Sequence, residues 1–417
     1  MSARLRYDEP FGGTSLPTSD SSRRKFLALT ATTALAACSK PEAETAQEAP
    51  SRLGSPVSAY GGRSAHEKAT RLRPSTPTPE EASSLTPLAD SQGVITPSAL
   101  HFERHHSGVP DIDPDKHQLT LHGLFERPLT FSMSELERLP SASHIYFVEC
   151  SGNTRSEWGS NKASTVQVSH GLAACSEWTG VPLKLLLAEA GVKPEAKWLI
   201  CEGGDACRMS RSLPIEKALD DCLVAYGQNG EAIRPEQGYP LRLIVPGWEG
   251  NINVKWLRRI KAVAEPAMAR DETAKYTDLL EDGKARQFSF EMEAKSVITY
   301  PSGGQTLAGP GFYEVRGLAW SGRGRIEKVE VSTDGGETWQ AADVQEPRLP
   351  KAFTRFRLPW RWEGGEVALV ARAIDETGYI QPTVDELIAV RGKHSDYHNN
   401  CQKLWKVGTD GKVTENA

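Results

Sequence analysis

The stretch FVECSGNTRSEW, residues 147–158, sets a cysteine where an apolar run meets a small polar turn. Ile145, Tyr146, Phe147 and Val148 have the β-branched and aromatic character of a strand. Ser151, Gly152 and Asn153 are turn residues, and Arg155 follows shortly after. Cys150 therefore stands at a strand end. Three roles are open to such a thiol: core filler, half of a disulfide, or a ligand presented by the strand. A lone cysteine is most often core, so the surrounding chain has to decide.

The chain has 417 residues, enough for about two to three domains. A net charge of −5 carries no basic signature, which argues against a nucleic-acid partner. Any anion site must come from local arginines. Near the start, Ser22-Arg23-Arg24-Lys25-Phe26-Leu27 is a twin-arginine pattern followed by an apolar stretch over residues 28–37. That stretch falls short of the roughly 20 residues that a membrane span needs. Residues 1–38 read as a twin-arginine export signal, which places the mature protein in the periplasm. Leu35-Ala36-Ala37-Cys38 fits either a lipoprotein site, with a lipid anchor on Cys38, or plain cleavage. The other cysteines are 150, 175, 201, 207, 222 and 401. No CxxC occurs, so zinc-ribbon and thioredoxin readings fail, and no CxxCH occurs to attach a c-type haem. Cys201 and Cys207 are close enough in sequence to pair, and the sequence leaves that open.

Residues 39–94 are rich in Ser, Thr, Pro, Glu and Ala and read as a flexible linker. From 95 to about 265, short β-like runs alternate with amphipathic segments. Residues 117–123, 197–201 and 241–246 read as strands, and residues 183–190 and 215–220 as helices. This is an α+β domain, not a βαβ repeat. Residues 266–285 read as a connection. Over 286–395, short strands with turn signals, such as Asp334-Gly335-Gly336 before Thr338-Trp339, suggest an immunoglobulin-like β-sandwich. Residues 396–417 remain as a C-terminal tail.

Besides residues 147–158, two segments of the first domain are rich in ligand-like side chains. One is His101-Phe102-Glu103-Arg104-His105-His106. The other runs from Gly238 to Leu257, GYPLRLIVPGWEGNINVKWL. Each has a plain explanation alone: Arg242 could sit in a structural ion pair, and His105 and His106 could be solvated. Together, in this order and spacing, they resemble the sulfite oxidase family of molybdopterin enzymes. FERHH is similar to the family's first cofactor segment and VECSGNTR to its molybdenum-cysteine segment. LVAYGQNG, residues 223–230, is similar to the segment bearing its active-site tyrosine. GYPLRLIVPGWEGNINVKWL is similar to its long cofactor signature, and VEVSTDGGETW, residues 329–339, to its C-terminal dimerisation domain.

The resemblance implies a Mo-molybdopterin cofactor, with Cys150 as the metal ligand. It places the cofactor against Phe102, Glu103, Arg104, His105, His106, Asp205, Arg242, Asn253, Val254 and Lys255. It assigns catalysis to Arg104, Arg155 and Tyr226, with the two arginines on a sulfur oxyanion and the phenol on substrate or protons. A soft metal suits a thiolate, and an oxyanion suits a guanidinium fork. Gln237 stands where animal sulfite oxidases carry a cofactor histidine, and Val168 falls near their pocket tryptophan.

No haem domain is legible before residue 95, so the electrons are expected to leave through a c-type cytochrome. Within the family, the signal, the sandwich and the closing YHNNCQKLWKV resemble the molybdenum subunits of sulfane dehydrogenases. That implies oxidation of sulfane sulfur on a cysteine of a sulfur-carrier protein, with a dihaem cytochrome subunit as acceptor, in a homodimer or α2β2 heterotetramer. The alternative within the family is a dehydrogenase of free sulfite. The methionine-sulfoxide reductase branch lacks the sandwich. A non-enzymatic sandwich lipoprotein would leave the ligand-like set as accident.

Overall fold

The computed structural model describes residues 54–415 apart from 77, 160, 161 and 394. The twin-arginine pattern, Cys38 and the first part of the linker assignment lie outside the described residues. Residues 54–64 are an exposed stretch without helix or strand and form a unit of their own. Residues 65–415 form the second unit, which holds everything below.

The first domain is built on two five-stranded sheets. One orders Glu231–Ala232, Leu223–Gln228, Ala173–Pro182 and Ala142–Glu149, with Arg242–Ile244 also paired to Leu223–Gln228. The other orders Leu129–Ser132, Gln118–Gly123, Leu257–Val263, Trp198–Gly203 and Ser210–Pro214. Every pair is antiparallel except Gln118–Gly123 with Leu257–Val263. This is the mixed α+β domain that the alternating segments imply.

Its helices follow from local chemistry. In Leu183–Ala190, the residues Leu183, Leu186, Leu187 and Ala190 are buried, one stripe at helical spacing. Pro182 precedes the first turn, and Gly191 ends the helix at φ 71°, a conformation glycine adopts without steric cost. The stripe joins a core with Leu119, Leu121, Leu199, Leu243 and Ile260.

The second domain is a β-sandwich. A four-stranded sheet orders Lys295–Tyr300, Gly311–Trp320, Thr354–Trp362 and Asp343–Val344. A five-stranded sheet orders Gln340–Ala341, Ile326–Ser332, Val367–Asp375, Leu404–Val407 and Val413–Glu415. Val297, Leu318, Trp320, Val329, Val331, Phe356, Leu369 and Trp405 fill the space between them.

Two boundaries read from sequence need correction. Residues 39–94 are not linker throughout. Ser83–Ser84 pairs with Glu103–Arg104, and Leu85 and Leu88 are buried. Two well-spaced leucines are too few to offset the polar composition in a sequence reading, yet they anchor the segment. Residues 396–417 are not a tail either: Leu404–Val407 and Val413–Glu415 complete the five-stranded sheet, with Trp405 fully buried.

The six cysteines among the described residues are free. Cys201 is buried in its strand and Cys207 is exposed, so the pairing left open by their spacing is not formed.

Candidate active site

The C-terminal end of Ala142–Glu149, the segment Glu103–Arg104 and the loop after Arg242–Ile244 converge on one cleft of about 670 Å³. Cys150 stands at its floor, one residue past the strand, as its sequence position implies. Its amide donates to the Leu172 carbonyl at 2.9 Å, and its carbonyl accepts from the Asn153 amide at 2.9 Å. Gly250 packs against it so closely that a Cβ there would lie 2.8 Å from the Glu149 carbonyl oxygen and 3.2 Å from Cys150 Cα. Burial pushes the Cys150 thiol pKa up, and the Arg104 charge opposes that.

One wall of the cleft is cationic, and among the described residues Arg242 and Lys255 pair with no carboxylate. Arg242 is buried and donates from Nη1 to the Gln237 carbonyl and to Gln237 Oε1, both at 3.1 Å. Among the described residues its Nε has no hydrogen-bond partner, and its guanidinium lies over the Trp178 ring at 5.1 Å. Burial lowers its pKa to about 9. The structural ion pair that could have explained Arg242 is absent among the described residues. Lys255 donates to the Arg104 carbonyl at 3.2 Å, the Glu236 carbonyl at 3.1 Å and His105 Nδ1 at 2.8 Å, all neutral acceptors. Burial, and after it the Arg242 charge, holds the Lys255 pKa well below its ordinary value. Cations in a cleft that bond only neutral acceptors leave a charge for an incoming anion to satisfy.

His105 is fixed from both sides. Its Nδ1 accepts from Lys255, so Nε2 carries the proton and donates to Glu103 Oε2 at 2.8 Å. Glu103 in turn pairs with Arg71 at 2.5 Å. His106 Nε2 meets the Tyr276 hydroxyl at 3.0 Å. Burial, and then the Arg104 charge, lowers the His106 pKa to about 4, so it is a neutral imidazole at pH 7. Arg104 bonds the His105 carbonyl and approaches Glu81 Oε1 at 3.4 Å. Asp205, also in the lining, accepts from the Met209 amide at 3.3 Å.

The structure thus brings together Cys150, Phe102, Arg104, His105, His106, Asp205, Arg242, Asn253, Val254 and Lys255. Glu103 stands behind the lining and acts through His105. Two assignments do not fit. Tyr226 does not line the cleft; it packs against the core around Leu119 and Leu183. The phenol in the cleft is Tyr276, from residues 266–285, which the sequence offered only as a connection. Tyr226 lies in Leu223–Gln228, and its half-buried side chain packs on the sheet face that meets this core. Arg155 is 68% exposed and pairs with Asp396 at 2.9 Å, outside the lining.

Sequence reasoning also missed Trp256 and Asn251 in the lining. Both lie inside the long signature and could have been taken from it. Gln237 donates to the Phe102 carbonyl at 2.8 Å, so its amide joins two cofactor segments. Val168 sits 44% exposed on the short helix Val166–His170.

The oxidoreductase molybdopterin binding domain matches residues 106–270, and the Mo-co oxidoreductase dimerisation domain matches residues 286–403. The solved structure of the sulfane dehydrogenase SoxCD from Paracoccus pantotrophus is 44% identical, covering 91% of this chain and 100% of that one, with a TM-score of 0.86. The chain belongs to the sulfite oxidase family of molybdopterin enzymes. The sulfite oxidase of Rattus norvegicus is 31% identical over 330 residues, and the nitrate reductase of Phytophthora infestans 34% over 320. This chain spans 60% of the former and 34% of the latter. As a sulfite oxidase family member it is a molybdenum oxidoreductase with a Mo-molybdopterin cofactor.

The residues present fit that cofactor. A phosphate-bearing pterin is suited by cations without carboxylate partners, and buried Arg242 and half-buried Lys255 are such cations. Its metal needs a soft donor, which Cys150 supplies in the same cleft.

Proposed function

We propose that this chain is the molybdenum subunit of an exported sulfane dehydrogenase. It oxidises sulfane sulfur bound to a cysteine of a carrier protein and passes the electrons to a c-type, dihaem cytochrome subunit. The observation that carries this reading is a thiol at Cys150 in one cleft with Arg242 and Lys255, which pair with no carboxylate among the described residues, in a chain that is 44% identical to a sulfane dehydrogenase. In this reading Cys150 is the protein ligand of the metal. Arg242, Lys255 and His105 hold the phosphate end, with Gln237 fixing Arg242. Export to the periplasm is supported by the twin-arginine pattern of residues 22–27, and a homodimer or α2β2 heterotetramer by the dimerisation domain.

When bound, the cofactor supplies oxygen-atom transfer and two-electron redox chemistry. The chain supplies the rest. Arg104, in the same cleft as Cys150, presents a guanidinium to hold a sulfur oxyanion, and Glu81 offsets its charge until substrate arrives. Tyr276 offers its hydroxyl to substrate, and neutral His106, hydrogen-bonded to it at 3.0 Å, holds the phenol in place. Arg155 stands at the surface, where its charge can guide an anion but not bind one at the cleft floor.

Steady-state kinetics with cytochrome c as acceptor tests the proposal. A carrier protein bearing a cysteine-linked sulfane should give the higher kcat/KM than free sulfite. A clear preference for sulfite would make the chain a sulfite dehydrogenase.

A further inference from the structure

The sandwich domain carries a name for dimerisation, yet it grips the segment that bears Cys150. The carboxylate of Glu149, the residue before Cys150, is fully buried. Three donors meet it: Asn153 Nδ2 at 2.9 Å, Trp320 Nε1 at 2.7 Å, and Lys295 Nζ. Trp320 and Lys295 both belong to the sandwich, and both are buried. Lys295 also reaches Thr154 Oγ1 at 3.3 Å. Past Cys150 the grip continues: the His398 amide donates to the Ser151 carbonyl at 2.8 Å, and Thr154 Oγ1 donates to the Asn399 carbonyl.

A free carboxylate so close to a thiolate would raise the local negative charge in a place water cannot reach. The ion pair removes that charge. It also ties the strand end to a rigid sheet of the other domain. We propose that Lys295 is a positioning residue for Cys150: from the sandwich domain it neutralises Glu149 and holds the strand end that presents the thiol. The inference rests on the reading of Cys150 as the cofactor ligand. It gives the sandwich a part in the active site that subunit association does not require.

Full-length, cofactor-loaded Lys295→Met, Glu149→Gln and the pair Glu149→Gln/Lys295→Met decide it, with Lys295→Arg as the conservative control. The readouts are the molybdenum midpoint potential, followed by electron paramagnetic resonance, together with kcat and KM. Lys295→Met leaves an unpaired anion and should lower the potential. It should also reduce kcat on the order of tenfold or more, with KM within about twofold. Glu149→Gln leaves an unpaired cation and should raise the potential. The pair variant and Lys295→Arg should return it to the wild-type value. Unmoved potentials in both single variants would overturn the inference. Should Lys295→Met not fold, Glu149→Gln against the pair variant carries the same test. Amide exchange over residues 147–155, read in cofactor-free protein, separates this inference from the ligand reading. Faster exchange in Lys295→Met supports the clamp even if Cys150→Ser keeps full metal coordination, and unchanged exchange counts against the clamp alone.

Discussion

The hydroxyl of Tyr276 lies 3.0 Å from Nε2 of His106, and these two residues, far apart in sequence, close one side of the cleft over Cys150. The Arg211 guanidinium lies 4.9 Å from the centre of the Tyr276 ring, and Arg211 is held by Glu249 at 3.0 Å, so the phenol has little freedom to leave. Tyr276→Phe should therefore lower kcat roughly 100-fold, the usual scale for a lost proton-transfer group. Tyr226→Phe, outside the cleft, should leave kcat within about twofold. Steady-state kinetics of the two variants checks the assignment.

Arg242 is a buried cation bonded to neutral oxygens, which gives its removal opposite signs in two states. Arg242→Met should lower cofactor retention, measured by pterin fluorescence after release, by about tenfold or more. The same substitution should stabilise the cofactor-free chain, because an unpaired buried charge is gone. Melting curves of both forms should cross: loaded variant below loaded wild type, empty variant above empty wild type.

The interdomain pair of Lys403 with Glu157, at 2.9 and 3.0 Å, is buried on both sides. Lys403→Met leaves the carboxylate without its cation and should destabilise the fold by about 3–5 kcal/mol. Urea unfolding monitored by tryptophan fluorescence measures this. Lys412→Met, whose partner Asp410 is exposed, should change stability by less than about 1 kcal/mol.

His101 is fully buried, and burial lowers its pKa to about 3, with Arg242 adding to the effect. An unfolded imidazole takes up a proton near pH 6.5. Between pH 6.5 and about 3 the unfolded chain binds the extra proton, so stability falls as pH falls through that window. The slope from His101 is about 1.4 kcal/mol per pH unit, and His106 acts in the same direction. Melting temperature against pH should drop on the acid side, with a shallower slope in His101→Asn.

Much of this was legible in the sequence, for identifiable reasons. The helix Leu183–Ala190 announces itself through apolar spacing, and the strand end at Cys150 through an apolar run that stops at Ser-Gly. The cationic wall was legible because Arg242 and Lys255 sit in one continuous signature. Tyr276 was not, because it lies in a charged stretch without periodicity and reaches the cleft by a tertiary turn of the chain. The segment around Leu85 and Leu88 was not, because its composition is that of a linker and its order comes from pairing with Glu103–Arg104. The Glu149–Lys295 clamp joins residues of different domains, which local spacing cannot foresee.

X-ray absorption at the molybdenum edge of the loaded enzyme, compared with Cys150→Ser, tests the central claim most directly. The account predicts that the sulfur coordination of the metal falls by one in the variant and that turnover is lost. An unchanged sulfur shell in Cys150→Ser would contradict it.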